Sequence, residues 1–164
     1  MGPRLLCFVG GAALAAFFVH LGLLATPFFG SGADLWVNVF AAFLLSLALG
    51  HGLGDLIVSV GKVSGKRVAP GLAAAGGILV WLAAYLLPQI CRWVLSFDDE
   101  WDLAGAASLA LASLVPGAML AAIVPCELRA RLETCDGPRP AARIALRLMG
   151  IMTVGCMGGV LLTA

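Results

Sequence analysis

An all-α integral membrane protein, built as a five-helix transmembrane bundle, is the fold class this sequence predicts. Three observations lead there. Only 12% of the residues are charged against 62% hydrophobic, and mean hydropathy is +1.05. Soluble domains carry roughly 25% charged residues, so half that share leaves too little polar surface to coat a water-soluble globule. The apolar residues fall in runs of about 20 or more, the length that crosses a ~30 Å hydrocarbon core. Such runs are far longer than a barrel strand, and backbone in lipid must pair its own polar groups, so they are helices.

Five spans follow in order, at approximately 5–29, 35–58, 69–95, 103–126 and 143–163. They form a single transmembrane domain over residues 1–164. The first, "LLCFVGGAALAAFFVHLGLLATPFF", follows Arg4. Its apolar stretch exceeds the ~7–15 residues of a signal-peptide core, so a helix is expected and not a leader. The second opens at Trp36, and the third carries Trp81, Tyr85 and Trp93 in its outer half. The fourth starts near Trp101 and contains Pro116 and Pro125, which remove backbone donors and predict a kink or a shortened helix. Pro27 and Pro88 stand near the outer ends of the first and third spans, where they can end a helix.

Charge in the connecting segments sets the orientation. "GKVSGKR" (61–67) holds Lys62, Lys66 and Arg67, and "ELRARLETCDGPRPAAR" (127–143) holds Arg129, Arg131, Arg139 and Arg143. "GSGAD" (30–34) and "SFDDEWD" (96–102) are acidic. Short basic loops stay on the cytoplasmic side. The basic loops and Arg4 therefore place the N-terminus in the cytoplasm and the C-terminus outside, in a cell (inner) membrane. The tryptophans then fall near the outer interface, as an aromatic belt.

Twenty-one glycines indicate how the helices pack. Gly50/Gly54 and Gly155/Gly159 are G-x-x-x-G pairs, and small residues let helix backbones approach closely in lipid. Net charge is +1, which gives no ground for nucleic-acid binding. Five scattered cysteines form no C-x-x-C pair and read as small hydrophobes. No G-x-S-x-G, H-E-x-x-H or Walker pattern is present, and Glu127 and Glu133 sit among arginines, where surface ion pairs are expected.

Ionisable groups inside a bilayer face the bundle or a cavity. His20, His51, Asp55 and Asn38 are the candidates. His51 and Asp55 are i,i+4 on one helix face, with Gly50 and Gly54 beside them, so a close helix contact is expected to carry the polar pair with it. Asp55 falls roughly 30 Å from the outer end of its span, within reach of Lys62, Lys66 and Arg67. Two readings remain: a polar latch, with His51 hydrogen-bonding across a helix interface, or a proton or substrate site. His20 and His51 differ in depth by roughly 10 Å, so they do not form an axial pair for haem, and no cofactor or metal is expected.

Several stretches in order, "LATPFFGSGADLWVNVFAAFLLSLALGHGLGD", "VPGAMLAAIVPCELRARL" and "AARIALRLMGIMTVGCMGGVLLTA", together resemble the N-terminal membrane region of membrane-bound, spermidine-synthase-like proteins. That region is similar in appearance to half of a major facilitator transporter. The resemblance implies that Gly50, Gly54 and Asp55, with Gly61, Lys66 and Arg67, form a stretched version of the transporter signature that latches cytoplasmic helix ends. Here no Arg or Lys directly follows Asp55, the spacer is longer, and five spans are expected in place of six. No soluble aminopropyltransferase domain is expected after Ala164, so its activity is not carried over.

The expected function is therefore non-enzymatic: a transporter-like module in the lipid bilayer, acting as a subunit of a larger membrane complex or as a homo-oligomer. The alternative is a small-solute carrier, for polyamines or other cations concentrated by Asp98, Asp99, Glu100 and Asp102. A membrane-embedded enzyme stands third.

Overall fold

The structure is a computed structural model and describes residues 2–61, 65–97, 101–132 and 138–163. The elements among these residues are all helical: α1 (Pro3–Phe29), α2 (Ala33–Gly61), α3 (Gly65–Leu95), α4 (Trp101–Ala121), α5 (Ile123–Leu132) and α6 (Pro138–Thr163). Five stretches are long and apolar enough to cross a membrane, because α4 and α5 together make one span, Leu103–Leu132. The chain is thus a multi-pass, all-helical membrane protein.

The helices reach further than their apolar runs. Once a helix leaves the hydrocarbon its backbone ladder continues wherever the next residues allow. Pro3 and Pro138 start α1 and α6, at a position where a missing N–H is no loss. Pro88 lies inside α3, which continues to Leu95 and does not end there. The largest departure is in the fourth span. Pro125 offers no N–H to the Ala121 carbonyl, and the helix breaks at Ala122. The ladder resumes at once: Ala122 N–H donates to Ala118 at 2.9 Å, and Cys126 N–H to Ala122 at 3.2 Å. Pro125 then falls in the first turn of α5, where helix donors are unpaired in any case. Residues 127–132, expected in a loop, are helical for this reason.

α1 and the α4–α5 span form the centre, with over half of each span's apolar window buried, whereas α2, α3 and α6 lie at the periphery. α6 packs along α1, while α2 and α3 flank α4. Leu14 and Leu21 of α1, Leu87 of α3, and Leu109, Ile123 and Val124 of the fourth span fill the middle. Lipid is as apolar as leucine, so burial alone does not hold such helices together; close packing does.

Two seams supply that packing. Along α2, Ala42, Ser46, Gly50 and Gly54 repeat every four residues. A methyl at Gly50 would lie 2.5 Å from the Ala118 carbonyl oxygen, and one at Gly54 would lie 2.5 Å from Cγ of Pro125. The backbones of α2 and α4–α5 therefore touch where no side chain intervenes. On the other side, Gly155 and Gly159 of α6 meet the Phe8 and Ala12 carbonyls of α1, and Gly11 of α1 meets Met152. Between the seams Phe18 and Phe43 stack edge to face, with centroids 5.4 Å apart.

The C-terminal half of α3 presents Trp81, Tyr85 and Trp93 to the surroundings, the first two stacked at 12° between ring planes. Trp93, near the end of α3, stands at the level of a membrane–water interface, whereas Trp81 and Tyr85 lie closer to the helix midpoint, against the expectation of one aromatic belt.

Candidate functional site

The polar residues collect at three places. The first is the end of the bundle where α2 meets α5. Asp55, near the end of α2, accepts from Nη1 of Arg129 at 3.4 Å. Both side chains are largely solvent-accessible, 65% and 48% exposed, so the pair lies on the surface of the bundle. The partner comes from α5. Arg67 is exposed at the start of α3; Lys62 and the side chain of Lys66 lie outside the described residues. Asp55 thus pairs with a cation of the second basic segment, in a contact between the second and fourth spans. The reason is the extension of α5, which carries Arg129 past Asp55.

Beneath this pair α5 turns Cys126, Glu127 and Ala130 inward. Glu127 is only 6% exposed. This corrects the expectation of a surface carboxylate in a basic loop; residue 133 lies outside the described residues. Glu127 and Arg131 are each engaged in the structure, and both act electrostatically on the buried thiol of Cys7 in α1. Cys126 contributes a long contact from Sγ to the Gly54 carbonyl, 3.6 Å. A buried charge, two thiols and the glycine seam therefore share one layer.

The second place is a groove between α2 and α6, floored by α1. His51 does not hydrogen-bond across an interface. Its Nδ1 bonds the Leu47 carbonyl of its own helix at 2.7 Å. A carbonyl can only accept, so Nδ1 carries a proton in this contact. His51 lines one lobe of the groove with Leu47, Met149, Met152 and Thr153. The other lobe is lined by Phe18, Trp36, Phe40, Met157 and Val160, among others, and both lobes share Phe43 and Cys156. Each has a volume of about 380 Å³. Gly50 and Gly54 point to α4–α5, whereas His51 points to the groove and Asp55 to the surface. The glycine seam and the polar pair thus part company, because one residue along a helix is a rotation of about 100°.

The third place is α1. His20 is exposed on the bundle surface, on a stripe with Leu5, Val9, Leu23 and Pro27. His20 and His51 therefore face different surroundings. Asn38 of α2 is half-buried and engaged. No group of three or more His, Cys, Asp or Glu that could hold a metal occurs among the described residues.

No protein-family model, curated protein or solved structure matches the chain.

Two features escape the sequence patterns. Ser46, Ser108 and Ser113 are fully buried in the bundle. Ser46 packs on Gly117, and Ser108 lies beside the Cys91 thiol. The four-residue repeat of small residues on α2 is the signal that identifies Ser46. Glu127 is the other. Its spacing to Arg131, i,i+4, marks a helix and not a loop.

Proposed function

We propose that this protein is a non-enzymatic, transporter-like membrane module that acts as one part of a larger assembly, with other membrane subunits or with further copies of itself. One observation supports this reading above the rest: His20 is exposed on the outer surface of α1. Nine residues separate it from Phe29, about 14 Å along a helix that is about 40 Å long. That places it inside the hydrocarbon zone. Helical Cα–Cβ bonds tilt toward the N-terminus, which for His20 is toward the middle of the membrane and away from the nearer interface. An imidazole held there against lipid is costly, and such groups face protein or a water-filled cavity. A second chain against the α1 stripe would give it a partner.

The resemblance to the membrane region of spermidine-synthase-like proteins belongs to the same reading, as does an inner-membrane orientation with a cytoplasmic N-terminus. The experiment is the particle mass of the protein extracted with its surrounding lipid. The reading expects more than one chain per particle, and a strictly monomeric particle would refute it.

A further inference from the structure

We propose that the starts of α1 and α6 together bind the head of one anionic phospholipid, with Arg4, Arg143 and Arg147 on its phosphate and its tails along α6. This concerns a different face from the α1 stripe and holds for either orientation of the bundle.

The packing of the two helices brings the arginines together. Gly155 meets the Phe8 carbonyl and Gly159 the Ala12 carbonyl, so α1 and α6 run parallel and start at the same end of the bundle. Gly11 in turn meets the Met152 carbonyl. Averaged over the Phe8–Gly155 and Gly11–Met152 contacts, Arg4 is level with Leu148, the neighbour of Arg147. Packed helix axes are about 8–10 Å apart, so two guanidiniums on long stems can reach one group between them. Arg143 stands one turn before Arg147 on the same face, about 6 Å along the axis. All three side chains are exposed, and among the described residues none of the three forms an ion pair. The Asp55 carboxylate belongs to Arg129, on the α2–α5 side.

Depth and charge name the occupant. The Arg4–Phe29 span, 26 residues, is about 39 Å long, close to the ~40–45 Å of a bilayer with its headgroups. Arg4 at its end therefore stands at the headgroup level, and Arg147 with it. Planar guanidiniums there donate paired hydrogen bonds to phosphate oxygens. Three positive charges favour a head of net negative charge over one that carries its own cation, which they would repel. Beyond Arg147 the same face turns apolar. Gly150, Val154 and Leu161 are exposed on it, and nothing lies within 4 Å of where a Gly150 methyl would stand. The order along α6, head first and tails toward the membrane middle, is that of a lipid in the leaflet nearest the helix start.

The full chain is titrated in detergent with phosphatidylglycerol, or with phosphatidylcholine of identical acyl chains, and bound lipid is counted by native mass spectrometry. The expected result is saturable binding of a single phosphatidylglycerol, about tenfold tighter than phosphatidylcholine, the effect of one charge-assisted contact. Arg147→Gln and Arg4→Gln should each weaken phosphatidylglycerol about tenfold. Arg67→Gln, which removes the same charge from the start of α3, should leave its binding unchanged. Equal affinity for the two lipids in the unaltered protein overturns the proposal, and this arm decides even if a variant does not fold. Equal losses in Arg67→Gln and Arg147→Gln overturn it in favour of a diffuse basic surface. Displacement of the lipid by an equal concentration of glycerol phosphate overturns it in favour of a site for a free phosphate.

Discussion

Gly54 of α2 lies so close to Pro125 of α5 that a methyl group on it would stand 2.5 Å from the proline Cγ and 2.7 Å from the Ala122 carbonyl oxygen. The contact joins the kink of the fourth span to the C-terminal end of the second. Gly50 makes the same approach one turn earlier, against Ala118 and Ala121. Gly52, between them, has open space around it. Gly50→Ala and Gly54→Ala should each destabilise the bundle by about 1–3 kcal/mol, the usual consequence of overpacking. Gly52→Ala should be neutral, or stabilising by up to about 1 kcal/mol through helix propensity. Denaturant titration of helicity in mixed micelles separates the three. Equal effects at all three positions would mean that the seam does not hold the fold.

The same contrast holds on the opposite side. Gly155 and Gly159 press on α1, whereas Gly150 meets nothing within 4 Å. Gly155→Val should loosen α6 and raise protease sensitivity near its start, and Gly150→Ala should not. Limited proteolysis in detergent provides the measurement.

The two carboxylates where α2 meets α5 should behave differently. Asp55 and Arg129 are both exposed, and an exposed ion pair contributes about 0–1 kcal/mol. Asp55→Asn should cost less than about 1 kcal/mol, and a double-mutant cycle with Arg129→Gln should give a coupling of similar size. Glu127 is buried, so Glu127→Ala should cost about 1–3 kcal/mol or more, because its partners lose a buried charge. Thermal unfolding in one detergent tests both residues together. A larger loss at Asp55 than at Glu127 would reverse the assignment of which carboxylate supports the fold.

How far the sequence is readable follows from these residues. Five spans are legible because apolar runs of ~20 residues have one physical meaning. The glycine pairs are legible as contacts, because nothing else explains small residues every four positions in lipid. Their partners are not, since a helix face can meet any neighbour until the tertiary arrangement is fixed. Helix ends are hidden for a different reason: hydropathy reports the hydrocarbon boundary, and α5 continues beyond it through Arg129 and Arg131. The burial of Glu127 depends on the bend at Ala122, which sets which face of α5 turns inward. The separation of His51 from the glycine seam was derivable from helical rotation alone, but not the groove that receives it.

Orientation has its own test. Ser31, between α1 and α2, and Phe97, after α3, are exposed, as is Arg67 at the start of α3. In intact cells, Ser31→Cys and Phe97→Cys should react with a membrane-impermeant thiol reagent, and Arg67→Cys should react only after permeabilisation. Labelling of Arg67→Cys from outside would invert the topology drawn from the basic loops.

The most direct test concerns the face of α1 that carries His20. A photo-cross-linking amino acid is placed at Val9 and at Leu23, on either side of His20 on the exposed stripe, and at Val37, exposed on α2, as the control. After irradiation in the native membrane, positions 9 and 23 should join to a second protein chain, and position 37 should not. His20→Leu should weaken those adducts while leaving the folded yield of the chain unchanged, because the imidazole serves the contact and not the bundle. Adducts to lipid alone at both 9 and 23, with or without His20, would contradict the account: the bundle would then be complete by itself.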